Sequence, residues 1–253
     1  MAASSKQHLK FMSVLNLAGY KFVALDALDE LQATLRQHCN ELQLKGTILL
    51  SFEGINIVLA GDEQVATKFQ RLIHDDPRFA DLRFKRSVSA YQPFDRMLVK
   101  IKKEIITMRV PGVDPARQRA PVVAAKELKR WLDEGRDVVL LDARNAFEVD
   151  AGTFDNAVDL QLSSFGQFAD AADRLDPSLK EKTIVTFCTG GIRCEKAAPV
   201  LIGKGFREVF QLDGGILQYF EECGAAHFKG RCFVFDQRVA LDGNLHPEIA
   251  DTP

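Results

Sequence analysis

The chain has 253 residues, a length typical of one large domain or two small ones. Hydrophobic residues make up 46% and charged residues 27%, which excludes a disordered, collagen-like or coiled-coil protein. No apolar run approaches the roughly 20 residues that span a bilayer, and five cysteines are too few for a disulfide scaffold. We therefore expect a cytoplasmic protein with reduced thiols and no membrane partner.

The net charge of −2 conceals an uneven distribution along the chain. Residues 1–120 carry 18 Lys+Arg and 13 Asp+Glu, whereas residues 121–253 carry 15 and 22. The segment 83–119 alone holds ten basic and three acidic residues. This split predicts two domains, of which the basic one could bind nucleic acid. The solvated face of a small sheet would explain the same charges.

The first hundred residues alternate between strand and helix patterns. Helices are predicted behind Asp26, as an N-cap, and from Asp62, while Glu53-Gly54 separates two β-branched runs as in a hairpin. The predicted strands are 11–17, 21–24, 46–52, 55–60, 82–88 and 97–101. The resulting order, βαββαβ, is that of a ferredoxin-like α+β domain.

The second half of the chain begins after a segment, 111–121, that holds three prolines and predicts a linker. Beyond it, apolar strands alternate with helices, which predicts an α/β domain with a parallel sheet covered by helices. The predicted strands are 138–141, 184–187 and 209–212, and the predicted helices lie near 128–135, at 165–175, from 192 and at 216–224. We divide the chain into residues 1–110, 111–121, 122–225 and a C-terminal extension, 226–253.

A short loop carries the most informative chemistry. An apolar strand ends directly in Cys188, and a helix begins a few residues later. The loop after the cysteine consists of Thr189, Gly190, Gly191, Ile192 and Arg193. Its glycines let backbone N–H groups point at the sulfur, while Arg193 and the helix N-terminus add positive charge. We predict that Cys188 is a nucleophile with a lowered pKa; a buried, inert cysteine is the alternative.

The length of the loop and the neighbouring cysteines limit the reactions that Cys188 could perform. Cys188 and Arg193 enclose four residues, one fewer than in cysteine phosphatases, so the loop should suit a sulfur-sized group or an oxygen species better than a tetrahedral phosphate. Cys194 could resolve an oxidised sulfur as a redox partner, or simply pack. We assign no metal to Cys223, His227 and Cys232, because they lack a ligand pattern. No flavin, haem or iron motif is evident, so no cofactor is assigned.

Three motifs resemble the rhodanese domains over residues 122–225. They are the cysteine loop, Asp142-Ala-Arg144 with Glu148 after it, and Asp213-Gly-Gly. In rhodanese domains the loop cysteine carries a persulfide, while the Asp-x-Arg and Asp-Gly-Gly elements mainly hold the fold together. The resemblance therefore implies structural roles for Asp142, Arg144, Glu148 and Asp213.

A narrower resemblance covers nearly the whole chain. Residues 188–196, 46–56, 99–107 and 231–236 are similar to the rhodanese-like tRNA uridine hydroxylases, which join a ferredoxin-like domain to a rhodanese domain. That family converts the wobble uridine of certain tRNAs to 5-hydroxyuridine with molecular oxygen. The resemblance implies an oxidoreductase with molecular oxygen as co-substrate, the tRNA anticodon loop as partner and Cys188 as nucleophile, through a persulfide or an oxidised sulfur. Many members continue into a cysteine-rich C-terminal region that this sequence lacks.

The tRNA contacts are predicted in the basic N-terminal domain, with Tyr91 and Phe94 available for stacking. The candidate phosphate contacts are Lys85, Arg86, Arg96, Lys100, Lys102 and Lys103. Because the cysteine loop belongs to the other domain, we expect RNA binding and cysteine reactivity to be separable. Two other functions stay open: a sulfurtransferase that passes persulfide sulfur to a small-molecule or protein thiol, and a non-catalytic tRNA-binding or regulatory module. The sequence predicts no oligomeric state.

Overall fold

The computed structural model describes residues 13–247. In the N-terminal domain, the strands are β1 Val14–Phe22, β2 Lys45–Ser51, β3 Gly54–Asp62, β4 Phe84–Ser89 and β5 Met97–Ile101, and the helices are α1 Leu28–Glu41 and α2 Glu63–His74. The sheet order is β4-β1-β3-β2-β5, in which β5 alone pairs in parallel with its neighbour. The predicted ferredoxin-like arrangement is confirmed, with β5 as an added edge strand.

Two local predictions in this domain are wrong. The runs predicted at 11–17 and 21–24 form one strand, because Gly19 continues the antiparallel register of β1 with Ile57 of β3; residues 11 and 12 lie outside the described part. Asp26 does not cap α1: the N-cap is Ala27, in a left-handed conformation and without a side-chain hydrogen bond. Asp62 does cap α2, accepting from the N–H of Gln64.

The two faces of the N-terminal sheet differ in their neighbours. Leu17, Ile48 and Ile57 point to the face covered by the helices, where they pack with Phe69 in the core. Each such side chain contributes about 1.5–3 kcal/mol by leaving water. Because side chains alternate along a strand, the residues between them point to the other face, which is turned toward the second domain.

The second domain is built from a parallel sheet and flanking helices. Its strands are β6 Val122–Val123, β7 Val138–Asp142, β8 Gly152–Phe154, β9 Val158–Asp159, β10 Thr183–Phe187, β11 Glu208–Leu212, β12 Phe228–Gly230, β13 Cys232–Phe233 and β14 Ala240–Leu241. Its helices are α3 Ala125–Asp133, α4 Ala146–Ala151, α5 Phe168–Ala172, α6 Cys194–Gly203 and α7 Gly215–Cys223. The helix predicted at 165–175 is shorter, since a 3-10 turn at 165–167 precedes α5.

The main sheet of this domain has the order β6-β11-β10-β7-β9 and is parallel throughout. Helices cover both faces, as the unbroken apolar strands predict. In β10, Ile184 packs with Phe168 and Leu201 on one side, whereas Val185 packs with Leu128 on the other. Within residues 13–247, no helix has the length and apolar character to cross a membrane.

Buried polar contacts join the two domains. The ammonium group of Lys196, only 2% exposed, lies 2.8 Å from Glu53 and 2.7 Å from Glu104, both in the N-terminal half. Near the C-terminal end, Arg238 donates to the hydroxyl of Ser87 at 2.7 Å. These contacts fix the carboxyl end of β10 opposite the uncovered face of the N-terminal sheet.

Candidate active site

A cleft of about 1370 Å³ separates the two domains. From the N-terminal sheet it is lined by Ala18, Tyr20, Leu49, Asn56, Val58 and Lys85, and from the cysteine loop by Cys188, Thr189, Gly190, Ile192 and Arg193. The volume exceeds the roughly 300–1,000 Å³ of common ligand pockets. The cysteine loop of one domain and a sheet face of the other therefore belong to one site.

Backbone geometry turns the loop toward the sulfur of Cys188. This residue follows β10 directly, and the N–H of Gly191 donates to its Sγ at 3.2 Å. Gly191 has φ 99°, and a Cβ at this position would lie 2.9 Å from the hydroxyl of Tyr20. Any other residue would be strained there and would also push against the N-terminal domain.

The surroundings of Cys188 favour the thiolate. Burial alone would raise the pKa of Cys188, but a hydrogen bond from Cys194, the charge of Arg193 and the backbone N–H groups of Arg193 and Gly191 outweigh burial and lower the pKa. Burial and the hydrogen bond to Cys188 raise the pKa of Cys194 well above its usual value. The surroundings thus favour the thiolate at Cys188 and the thiol, as hydrogen-bond donor, at Cys194.

Arg193 is held by a buried carboxylate from a distant part of the chain. Its two Nη atoms donate to the Oε atoms of Glu148 at 2.6 and 2.7 Å, and both side chains are buried. Glu148 also accepts from the N–H of Asn145 at 3.1 Å and so closes the capping box of α4. Glu148 therefore couples the fold of α4 to the charge beside Cys188, a link beyond the structural role that the resemblance implies.

The Asp142–Arg144 ion pair stabilises the position of Glu148. Arg144 Nη2 lies 2.6 Å from Asp142, and both side chains are fully buried. Arg144 also donates to the carbonyl oxygens of Glu148 and Gly152. The pair thus fixes the end of β7 to α4 and keeps Glu148 in place.

The Asp213-Gly-Gly motif lies against the cysteine loop. Gly215 has φ 66°, and a Cβ there would come within 2.4 Å of the carbonyl oxygen of Cys188. The N–H of Ile216 donates to that same oxygen at 2.9 Å. Asp213 pairs with Arg83 of the N-terminal half at 3.2 Å, so this motif supports the loop and also contacts the other domain.

The six candidate phosphate contacts do not form one surface. Lys85 and Lys102 line the cleft, whereas Arg86 lies on the opposite face of β4 and bonds to Gln70 of α2 at 2.9 Å. The remaining three, which are exposed outside the cleft, are Arg96, Lys100 and Lys103. Two of the six candidates, Lys85 and Lys102, therefore share a cleft with Cys188, although the cysteine loop belongs to the other domain.

Several cleft residues were not identified from the sequence. Arg109 and Arg119 line the cleft and were counted only as part of the basic segment. Tyr20 donates to Glu195 at 3.2 Å across the domain boundary. Burial raises the pKa of Glu195 despite hydrogen bonds from Gln211 and Tyr20, which gives the cleft a carboxyl group suited to proton transfer. Only the position of Glu195 just after the loop could have signalled it.

The residues considered as metal ligands have other surroundings. Cys232 is buried in the core of the second domain, and His227 bonds to Asp133 at 2.7 Å. Among residues 13–247, no group of three or more His, Cys, Asp or Glu side chains is placed to hold a metal ion.

Known proteins resemble both halves of the chain. The family model described as "UPF0176 acylphosphatase like domain" matches residues 14–105, and that of the rhodanese-like domain matches residues 124–222. A solved rhodanese-like domain from Anabaena sp. is 22% identical and covers 44% of this chain and 80% of its own, with a TM-score of 0.36.

Two relatives match nearly the whole chain in sequence. The tRNA uridine(34) hydroxylase of Burkholderia cenocepacia (strain HI2424) is 52% identical over 245 residues, covering 93% of this chain and 86% of the relative. The protein of the same name from Cupriavidus taiwanensis is 52% identical over 241 residues, with the same coverage. On this evidence, the chain belongs to the tRNA uridine(34) hydroxylase family.

Proposed function

We propose that this protein hydroxylates uridine 34 in the anticodon loop of tRNA to 5-hydroxyuridine in the cytoplasm, with Cys188 as nucleophile and molecular oxygen as co-substrate. The relatives at 52% identity are named tRNA uridine(34) hydroxylase. The observation that carries the proposal is the cleft itself. Cys188, whose surroundings lower its pKa, lines a cavity that is large enough for a nucleotide and that is also lined by Lys85, Arg109 and Arg119.

The charges of the cleft suit a polyanion. Lys85, Lys102, Arg109 and Arg119 line it. Two of its acidic residues, Asp213 and Asp236, are paired with Arg83 and Arg238, so that less negative charge faces an incoming phosphate. Phosphate contacts supply most of the affinity in such complexes and leave the bases free to be read or modified.

The depth of Cys188 explains why an anticodon loop would be the substrate. The sulfur is fully buried at the end of the cleft, so a base stacked inside a helix could not reach it. Unpaired loop bases can be turned out of the stack at a cost of a few kcal/mol. In the proposed reaction, the Cys188 thiolate adds to C6 of the uracil ring, and the C5=C6 electron pair moves toward C5 and O4.

Replacing Cys188 with serine tests the proposal directly. A serine hydroxyl fits the loop but has no comparable nucleophilicity at neutral pH. In cells that lack the gene, the Cys188→Ser protein should not restore 5-hydroxyuridine, measured by mass spectrometry of tRNA nucleosides. Cys223→Ser is the matched control, because Cys223 lies on α7 and does not line the cleft. Restoration above roughly a tenth of the wild-type level would contradict the nucleophile role.

A sulfurtransferase activity is the second candidate, and the short loop favours it. The N–H of Gly191 donates to the Sγ atom of Cys188, and the match to rhodanese-like domains includes the cysteine loop. This activity predicts turnover of thiosulfate by the purified protein without RNA. Thiosulfate turnover combined with unchanged tRNA nucleosides in cells lacking the gene would favour the sulfurtransferase over the hydroxylase.

A further inference from the structure

Three phenylalanines form a cluster, and one of them, Phe235, lines the cleft. Ring centroids are 5.1 Å apart for Phe147 and Phe233, 5.3 Å for Phe233 and Phe235, and 6.3 Å for Phe147 and Phe235. Phe233 is half-buried, but Phe147 is 46% exposed and Phe235 is 61% exposed. Leaving two large rings in water forgoes part of the roughly 1.5–3 kcal/mol that burial of each would supply.

The cluster is continuous with the cysteine loop. The guanidinium carbon of Arg193 lies 5.9 Å from the centre of the Phe235 ring, and Phe235 itself lines the cleft. The hydroxyl of Thr189 donates to the carbonyl oxygen of Phe233 at 3.4 Å. Phe147 directly precedes Glu148, the partner of Arg193. A molecule bound beside Cys188 would therefore extend onto these rings.

The chemistry of the cleft identifies the kind of molecule that the rings receive. An apolar peptide would suit two exposed phenylalanines, but the cavity that Phe235 lines is also lined by Lys85, Arg109 and Arg119. A partner that combines flat rings with negative charge satisfies both features. Stacking of a base on an aromatic side chain contributes about 1–3 kcal/mol and is independent of base identity.

We propose that Phe235, supported by Phe147 and Phe233, is the stacking platform for the unpaired base next to the uridine that enters the cleft. This inference rests on the proposed function. Turning one base out of a loop removes a stacking partner from its neighbour, and the Phe235 ring replaces that partner. The platform thereby lowers the cost of bringing the target to Cys188 without reading the sequence.

The test measures binding of an anticodon stem-loop by the full chain. Phe235→Ala should weaken binding roughly 5- to 150-fold, whereas Phe235→Trp should restore it, since the larger ring also stacks. The slope of log affinity against log salt should stay unchanged because no phosphate contact is lost. Phe52→Ala is the matched control, since Phe52 is 72% exposed but does not line the cleft. Normal alkylation of Cys188 in Phe235→Ala shows that the loop is intact.

An altered RNA locates the base that stacks. Two stem-loops are compared, with an abasic nucleotide at position 33 or at position 35. The one that lacks the stacking base should bind the wild-type protein as weakly as the intact stem-loop binds Phe235→Ala. With that RNA, Phe235→Ala should cause no further loss of affinity. Additive losses, or an affinity of Phe235→Ala within twofold of wild type, would overturn the platform. Failure of the proposed function has a different signature, namely a wild-type protein that neither binds the stem-loop nor restores 5-hydroxyuridine in cells.

Discussion

Replacing Glu148 with glutamine should destabilise the protein while making Cys188 more acidic. In the wild type, the buried carboxylate accepts two hydrogen bonds from Arg193, at 2.6 and 2.7 Å. Removing one partner of a buried ion pair costs about 3–5 kcal/mol. The glutamine carbonyl still accepts one of the two bonds, so we expect the lower end, about 3 kcal/mol.

The effect on Cys188 runs in the opposite direction. With the carboxylate gone, the positive charge of Arg193 is no longer offset, and the thiolate becomes its nearest negative partner. The pKa of Cys188, already lowered in the folded wild type, should fall further. A pKa of Cys188 that is lower in the folded state stabilises the fold at pH values above the pKa of the unfolded cysteine. This stabilisation is lost as the pH falls through the pKa of the folded state, so the free energy of unfolding of the variant should be lowest in acid.

Two measurements check this reasoning. Urea unfolding followed by the fluorescence of Trp131, the single tryptophan, gives the change in stability. The rate of alkylation by iodoacetamide as a function of pH gives the pKa of Cys188. Glu181→Gln is the control, since it removes an exposed partner of Arg207. An unchanged stability, or a pKa of Cys188 that rises, would refute the proposed balance of charges around Arg193.

The remaining predictions concern the contact between the domains, the cleft and the cysteine loop. Lys196→Met leaves Glu53 and Glu104 without their cation, so stability should fall by about 3–5 kcal/mol and limited proteolysis between the domains should increase. Lys85→Met should raise the free energy of unfolding by about 1–3 kcal/mol at pH 7. The reason is that burial lowers the pKa of Lys85 to about 8, so folding disfavours its charged form. In urea titrations, this gain should vanish as the pH approaches 10.5, where the unfolded lysine also loses its charge. The same variant should reduce the salt slope of tRNA binding by roughly 0.7–0.9. Hydrolysis of aryl phosphates through Cys188 should be negligible, and a robust Cys188-dependent rate would contradict the loop-length argument.

Local features of the fold were predictable because their signals are contiguous in sequence. The apolar run of β10, the glycines after Cys188 and the start of α6 follow one another directly. The errors arose where tertiary pairing overrides local pattern. Gly19 looks like a break but stays inside β1, because its backbone pairs with Ile57. Neither cap geometry nor strand continuity at such points can be read from residue type alone.

The site was predictable only as far as the loop itself. Glu148 and Arg193 are 45 residues apart, and nothing in their spacing shows that they pair. Tyr20 and Lys85 reach the cleft only because the domains dock. The candidate phosphate contacts were grouped by their place in the basic segment, and alternation along β4 sends two of them, Lys85 and Arg86, to opposite faces of the sheet.

The contact between Arg238 and Ser87 has a consequence for synthesis on the ribosome. The two residues are 151 positions apart, so at about 5–20 residues per second the N-terminal domain waits roughly 8–30 s for its last partner. Throughout that interval, the sheet face that will line the cleft is exposed to other nascent chains. An unbroken apolar face would invite aggregation at this stage. Tyr20, Asn56 and Lys85 interrupt the apolar surface of that face before the second domain is complete, and they line the cleft once it is.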